Sequence, residues 1–170
     1  MAKDIDEMEQ MIAGTLTFVR DASHVGARKP LELSSLIESL CDEMSETGCS
    51  VTVLHREQVI LSGDAVSLRR LFTNLLDNAV KFGGCATARV FNKDGFAVIE
   101  IDDKGPGISE DESERVFEPF YRGEPSRNRE TGGIGLGLAV VRSVARAHGG
   151  DVELSNRLEG GLSARVRLPL

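Results

Sequence analysis

No stretch of this chain is apolar for long enough to cross a bilayer, and no signal peptide is recognisable in it. Any tie to a membrane is therefore expected to lie outside it, with no membrane contact by the chain itself. Cysteine is scarce: Cys41, Cys49 and Cys85 are an odd number, at spacings that suit no metal. That usage fits a reducing, cytoplasmic compartment. Cys41 and Cys85 sit among apolar residues and are expected as small core fillers. Positive charge is also short, 20 Lys and Arg against 27 Asp and Glu for a net charge of -7. That balance excludes a nucleic-acid partner, whose phosphates want a basic face. An anionic ligand would need local cations or a metal to overcome the same field. Finally, the dipeptide Gly-Lys occurs nowhere, which excludes a Walker-type phosphate loop.

Of the 170 residues, 41% are apolar, enough for one well-cored domain and a short appendage. Residues 4–22 read as a helix in which Ile5, Met8, Ile12, Thr15 and Val19 recur at steps of three and four, with Asp4 as N-cap. Either this seam packs on the domain that follows, or it is half of a helical bundle completed elsewhere; the bundle reading is favoured. Residues 23–30, with Gly26 and Pro30, read as a linker. A helix over 34–47 stops at Gly48. Val51 and Val53, then Val59 and Leu61, predict a hairpin turning through 55–58. Asp64 caps a helix to Phe82, strands near 85–92 and 96–102 join at Asp94-Gly95, and a helix over 135–148 ends at Gly149-Gly150. Strands near 151–156 and 162–168 close the domain. Helices interspersed with hairpins predict an α+β two-layer sandwich, a mixed, mostly antiparallel sheet with helices on one face.

Three short segments carry the chemistry. On helix 64–82, Leu68, Leu71, Phe72, Leu75, Leu76, Ala79 and Phe82 share one side. Asn74, Asn78 and Lys81 share another, about 110° away at roughly 100° per residue. A solvated face would prefer Glu, Lys or Arg to Asn, a poor helix former, so the amide stripe points to a pocket floor. Asn oxygens are neutral hard ligands, suited to a Mg²⁺ otherwise held by phosphates and water. Next, Asp103-Lys104-Gly105-Pro106-Gly107 follows a β-branched strand. Its carboxylate can accept from an adenine amino group, and its glycines let the backbone approach a flat base. Alone, that segment reads as an ordinary Gly-Pro turn. Third, Gly133, Gly135 and Gly137 straddle the start of the last helix, where free N–H groups and the helix dipole form an anion site. Between the last two lies the long polar stretch 109–132, of a length that marks either a functional lid or a disordered loop; Phe117, Phe120 and Tyr121 would give such a lid apolar anchors.

In this order the segments resemble the N, G1, F and G2 boxes of the sensor histidine kinases, within the ATPase superfamily of gyrase, Hsp90 and MutL. The F box is Phe117-Glu118-Pro119-Phe120-Tyr121-Arg122 and the G2 box Gly133-Ile134-Gly135-Leu136-Gly137-Leu138. The likeness spans about residues 31–170. It implies a Bergerat ATP-binding fold with ATP and Mg²⁺ as ligands. Asp103, with Gly105 and Gly107 beside it, would recognise adenine; Asn78 would hold Mg²⁺; Lys81 and Arg122 would meet phosphate; Phe82 would lie near the nucleotide. Gly133, Gly135, Leu136 and Gly137 would hold the lid around the phosphates. Ile134 stands where the family often has Thr or Ser, so one hydroxyl contact is missing.

Hydrolysing members of the superfamily place a Glu four residues before the metal-binding Asn. Here that position is Asn74, which cannot act as a general base, so the resemblance implies transfer of the γ-phosphoryl group to a protein nucleophile. The family's acceptor motif, His-Glu-x-Arg-Thr-Pro, is absent: His24, His55 and His148 stand in other contexts. Helix 4–22 resembles the second helix of the family's dimerisation and phosphotransfer bundle. Residues 1–22 are thus expected as a partial bundle helix, 23–30 as linker and 31–170 as the catalytic ATP-binding domain. The chain is expected to be a fragment starting between the two bundle helices, with Met1-Ala2 an added start, rather than a natural split kinase. Expected partners are the helix bearing the acceptor histidine and a response-regulator receiver domain, the parent being a homodimer through the bundle. One helix of a hairpin buries little, so this chain itself is expected to be a monomer or a weak dimer. The alternatives are a non-catalytic nucleotide-binding or dimerisation module, and a serine kinase or ATPase on the same fold.

Overall fold

In the computed structural model, residues 5, 8–9, 12–16, 19, 26–123 and 134–170 are described. From residue 29 the order is β1 (Lys29–Glu32), α1 (Leu33–Glu46), β2 (Ser50–Arg56), β3 (Ile60–Gly63), α2 (Ala65–Gly83), β4 (Cys85–Lys93) and β5 (Phe96–Asp102). Two 3-10 turns, α3 (Gly137–Ala147), β6 (Asp151–Asn156) and β7 (Leu162–Pro169) complete it. One sheet has the order β2-β4-β5-β7-β6, and β1 and β3 form a separate pair. Ala88 and Val90, Ala97, Ile99 and Ile101, and Ala164, Val166 and Leu168 are buried in the same core as the helices. The sheet is mixed: β2 runs parallel to β4, and every other pair is antiparallel. The sandwich expected from the sequence is the one observed.

The helix α2 organises the core because its apolar residues recur on one face. Leu68, Leu71, Phe72, Leu75, Leu76 and Ala79 are buried. Asp64 caps it, accepting from the N–H groups of Val66 (3.2 Å) and Ser67 (3.4 Å). Gly84 ends it in the left-handed region at φ 71, its N–H donating to Val80 O. Partial burial would raise the Asp64 carboxyl, but the bonds from Ser67 and Val66 outweigh it and hold it below its ordinary range. Asp64→Ala should therefore cost about 1 kcal/mol of stability. Because the folded-state value is the lower one, that difference should be present at neutral pH and disappear as the pH falls through it. Denaturant titrations of both proteins at neutral and acid pH measure it.

The hairpin expected between Val51 and Leu61 does not form. Leu33 N donates to Val59 O (2.8 Å) and Val59 N donates to Ser34 Oγ (3.1 Å). The start of α1 thus captures the connection, and β3 pairs with β1, which begins at Lys29 inside the stretch read as linker. With β3 diverted, β2 pairs with β4 through the α2 crossover that a parallel pair requires. The hairpin at Asp94-Gly95 does form, both residues having positive φ (53 and 78).

Cys41 is buried, and burial, with Asp42 and Glu38 nearby, pushes its thiol up to about 11. Cys85 is only half-buried, at the mouth of β4, so the filler reading holds for Cys41 alone. His148 is buried as a strut between helices. Its Nδ1 faces Val144 O (2.8 Å) and its Nε2 accepts from the N–H of Asp64 (3.1 Å). His55 lies exposed beside Glu57 (3.5 Å), and His24 is outside the described residues. Before the domain, the described residues among 5–19 are helical. Ile5, Met8, Ile12, Leu16 and Val19 are exposed there, while a Cβ on Gly14 would stand 3.0 Å from Ile134 and 3.2 Å from Leu136. Of the seam read from the sequence, Ile5, Met8, Ile12 and Val19 face outward, Thr15 is half-buried, and Gly14 faces the domain. Among the described residues no helix is long and apolar enough to cross a membrane.

Candidate functional site

A cavity of about 550 Å³ opens between α2, the start of α3, the loop after β5 and the segment 112–123. Its polar lining on α2 is Asn74, Asp77, Asn78 and Lys81, one helical face as the spacing predicts. Desolvation raises the Asp77 carboxyl above its ordinary range. The Nδ2 of Asn74 reaches toward Gly137 O (3.4 Å), linking the amide face of α2 to the first residue of α3. Phe82 also lines the cavity, with the Lys81 ammonium 5.2 Å from its ring centre.

Asp103 lies at the end of β5 and is buried. Its Oδ1 accepts from Gly105 N (2.7 Å) and Leu162 N (3.0 Å). Its own N–H donates to Leu162 O (2.9 Å), and its carbonyl accepts from Arg157 Nη1 (2.8 Å). Three backbone contacts and one guanidinium thus fix the residue, while the side chain lines the cavity with Oδ2 outside these bonds. Two glycines make the fit possible. A Cβ on Gly83 would stand 2.7 Å from Lys104 N, and one on Gly161 would collide with Asp103 O. Gly107 lines the cavity, but Gly105 packs beneath Asp103 Oδ1 and the Phe82 carbonyl and does not.

Lys81 and Arg122 bring positive charge to the same cavity. Burial, then the proximity of Arg122, lowers the Lys81 pKa. Gly135, Leu136 and Gly137 form the wall at the start of α3, whose first turn has no side-chain cap. Their position is set by the described part of the stretch 109–132: Phe120 N donates to Gly135 O (2.9 Å), and a Cβ on Gly135 would stand 2.8 Å from Tyr121 O. Of the expected lid anchors, Phe117 is buried, with Arg142 4.1 Å above its ring, and Tyr121 is half-buried, its hydroxyl donating to Glu112 (3.0 Å). Phe120 is exposed at φ 67, because the turn that delivers its N–H to Gly135 points the ring outward. It does not anchor.

The structure therefore brings together Asn74, Asn78, Lys81, Phe82, Asp103, Gly107, Arg122, Gly135, Leu136 and Gly137 around one cavity. Gly105 stands behind it, and Gly133 lies outside the described residues. Sequence reasoning missed the apolar part of the lining, Ile101, Leu154, Leu162 and Ala164. The period-two alternation of β5 and β7 was the available signal for Ile101 and Ala164.

Residues 63–170 match the family model described as histidine kinase-, DNA gyrase B-, and HSP90-like ATPase. Over 169 residues the chain is 37% identical to the sensor histidine kinase GtrS of Pseudomonas aeruginosa, covering 98% of itself and 34% of that protein. It is 33% identical over 178 residues to the signal transduction histidine-protein kinase BaeS of Escherichia coli, covering 95% of itself and 38% of the relative. Among solved structures, the ATP binding domain of PrrB from Mycobacterium tuberculosis superposes with a TM-score of 0.70 at 28% identity, over 85% of this chain and 98% of that one. The chain spans about a third of the length of the curated relatives it matches.

Proposed function

The chain belongs to the family of histidine kinase-, DNA gyrase B- and HSP90-like ATPases, and we propose that its cavity binds ATP with Mg²⁺ and presents the γ-phosphoryl group to a histidine on a bundle helix. The observation that carries this reading is the state of Asp103. One carboxylate oxygen is saturated by two backbone N–H groups, while the side chain faces a largely apolar cavity that Lys81 and Arg122 also line. A carboxylate so held is a fixed acceptor for the exocyclic amino group of adenine. Ile101, Leu154, Leu162 and Ala164 supply an apolar wall for the base, and Lys81, Arg122 and the uncapped first turn of α3 offset phosphate charge.

The donor set fits a hard cation that brings most of its own ligands. Among the described residues no three carboxylate, thiol or imidazole groups converge. Asn78 offers one neutral amide oxygen beside the cations that would meet phosphate. Bound there, Mg²⁺ would neutralise charge on the phosphates. Asn74 occupies the place from which a Glu would activate water. It has no basic oxygen and is tied toward Gly137 O, so its role is to hold the phosphate wall rather than to generate a nucleophile. Catalysis by this domain is then positioning and charge neutralisation, and the nucleophile comes from outside it.

On this reading residues 31–170 are the catalytic domain, and the helix within 4–22 is a bundle element whose exposed apolar seam meets the helix carrying the acceptor histidine. The parent would be a homodimer through that bundle and would pass the phosphoryl group to a response-regulator receiver domain. Calorimetric titration with ATP, with and without Mg²⁺, tests the binding step: metal-dependent one-to-one binding is expected, and absence of binding to folded protein would overturn the reading. Lys81 gives a pH signature. Its lowered pKa means that it loses its charge below the ordinary lysine range. ATP affinity should therefore fall, by roughly tenfold, as pH rises through that lowered value. Lys81→Arg, which stays protonated, should keep its affinity across the same range.

A further inference from the structure

The last residue of β6 and the turn that follows it grip the loop after β5 at both ends, although they belong to neither the helix nor the lid. At the near end, Arg157 Nη1 donates to Asp103 O (2.8 Å), while its Nε lies 3.7 Å from Asp102 Oδ2. Asp102 is buried on the face of β5 opposite to Asp103 and also pairs with Arg89. At the far end, the Asn156 side chain accepts from Ile108 N (2.9 Å) and donates to Ile108 O (2.7 Å), as a neighbouring strand would. The segment 103–108 is thus held at both its ends.

We propose that Arg157 is a positioning residue for base recognition, bridging the Asp102 carboxylate to the Asp103 carbonyl and so fixing the peptide from which the Asp103 side chain reaches into the cavity; Asn156 performs the same service at the end of the loop. The proposal rests on the reading of Asp103 as the adenine acceptor. Both carboxylates in the row Asp102-Asp103 then have work on opposite faces of one strand. Asp102 orients the guanidinium, and the guanidinium orients the peptide that aims Asp103. Without Arg157, the Asp103 carbonyl would lose its partner and Asp102 would keep only Arg89. Peptide 103–104 could then tilt, and the carboxylate would no longer sit in the plane of the base.

The test compares ATP with purine riboside 5′-triphosphate, which lacks the 6-amino group, by calorimetry on the whole chain. The ratio of the two dissociation constants isolates the amino contact. Wild type should favour ATP by roughly tenfold. Arg157→Ala should bind the analogue with its affinity unchanged while losing roughly three- to tenfold for ATP, so that the ratio falls toward one. Arg157→Lys, which keeps one donor, should give an intermediate ratio, and it supplies the same readout if the alanine variant does not fold. Variants that melt earlier yet retain the wild-type ratio would overturn the proposal and leave Arg157 a purely structural residue. A wild-type ratio of one would overturn the adenine reading itself, a different outcome from the first.

Discussion

Asp103→Asn is expected to weaken ATP binding by about 1–3 kcal/mol, roughly 5- to 150-fold, with the fold intact. The substitution keeps the shape of the side chain. The amide oxygen would still accept from Gly105 and Leu162 N–H groups, so the backbone clamp survives. What changes is the atom turned to the cavity: the second carboxylate oxygen, an acceptor, becomes an NH₂ donor. It then opposes the amino group of adenine, and two donors meet where a donor and an acceptor met before. Calorimetry should show the loss, and thermal melting without ligand should show little change. Reversing the amide to relieve the clash would present its NH₂ to two backbone donors instead, so the side chain has no harmless orientation.

Gly161→Ala is expected to damage both stability and binding. Gly161 sits at φ 95, a conformation that costs an L-residue about 1–3 kcal/mol. Its missing Cβ would also fall 2.8 Å from the carbonyl carbon of Asp103 and closer still to the oxygen. Neither neighbour is a flexible side-chain tip, so the strain cannot be relieved by a rotamer change. Relief requires the β6–β7 turn to separate from the end of β5, which breaks the Asp103–Leu162 backbone pair. Melting should occur several degrees lower, and ATP affinity should fall at least as far as in Asp103→Asn. The same substitution at Gly160, with similar φ but open space around it, should cost stability through strain alone and spare binding.

The parts of the site that were legible in the sequence are those in which a residue type is unusual for its place. Asn74 and Asn78 stood out because a solvated helix face seldom uses Asn. Asp103 did not stand out by itself, since its segment alone reads as an ordinary Gly-Pro turn, and only the order of the boxes gave it a role. The helices were legible from periodicity and caps, and the hairpin at Asp94-Gly95 from its turn residues. The pairing of β3 was not. Alternation marks a strand but does not name its neighbour, and the capture of Val59 by the start of α1 is a tertiary contact. Gly105 and Gly161 show the same limit from the other side. Both are glycines packed on Asp103, yet one lies beneath it rather than in the cavity, and the other, between the last two strands, drew no reading from the sequence at all. The role of Arg157 required knowing that the β6–β7 turn lies against the end of β5, which register alone decides.

Phosphoryl transfer is tested most directly by incubating this chain with Mg²⁺ and γ-labelled ATP, with and without a separately prepared helical bundle carrying an acceptor histidine, and following the label. The expected result is acid-labile, base-stable label on the bundle histidine, lost with Asp103→Asn, and little release of inorganic phosphate by the chain alone. Rapid release of phosphate by the chain alone, with no label on the bundle, would contradict it and return the site to the hydrolytic ATPases.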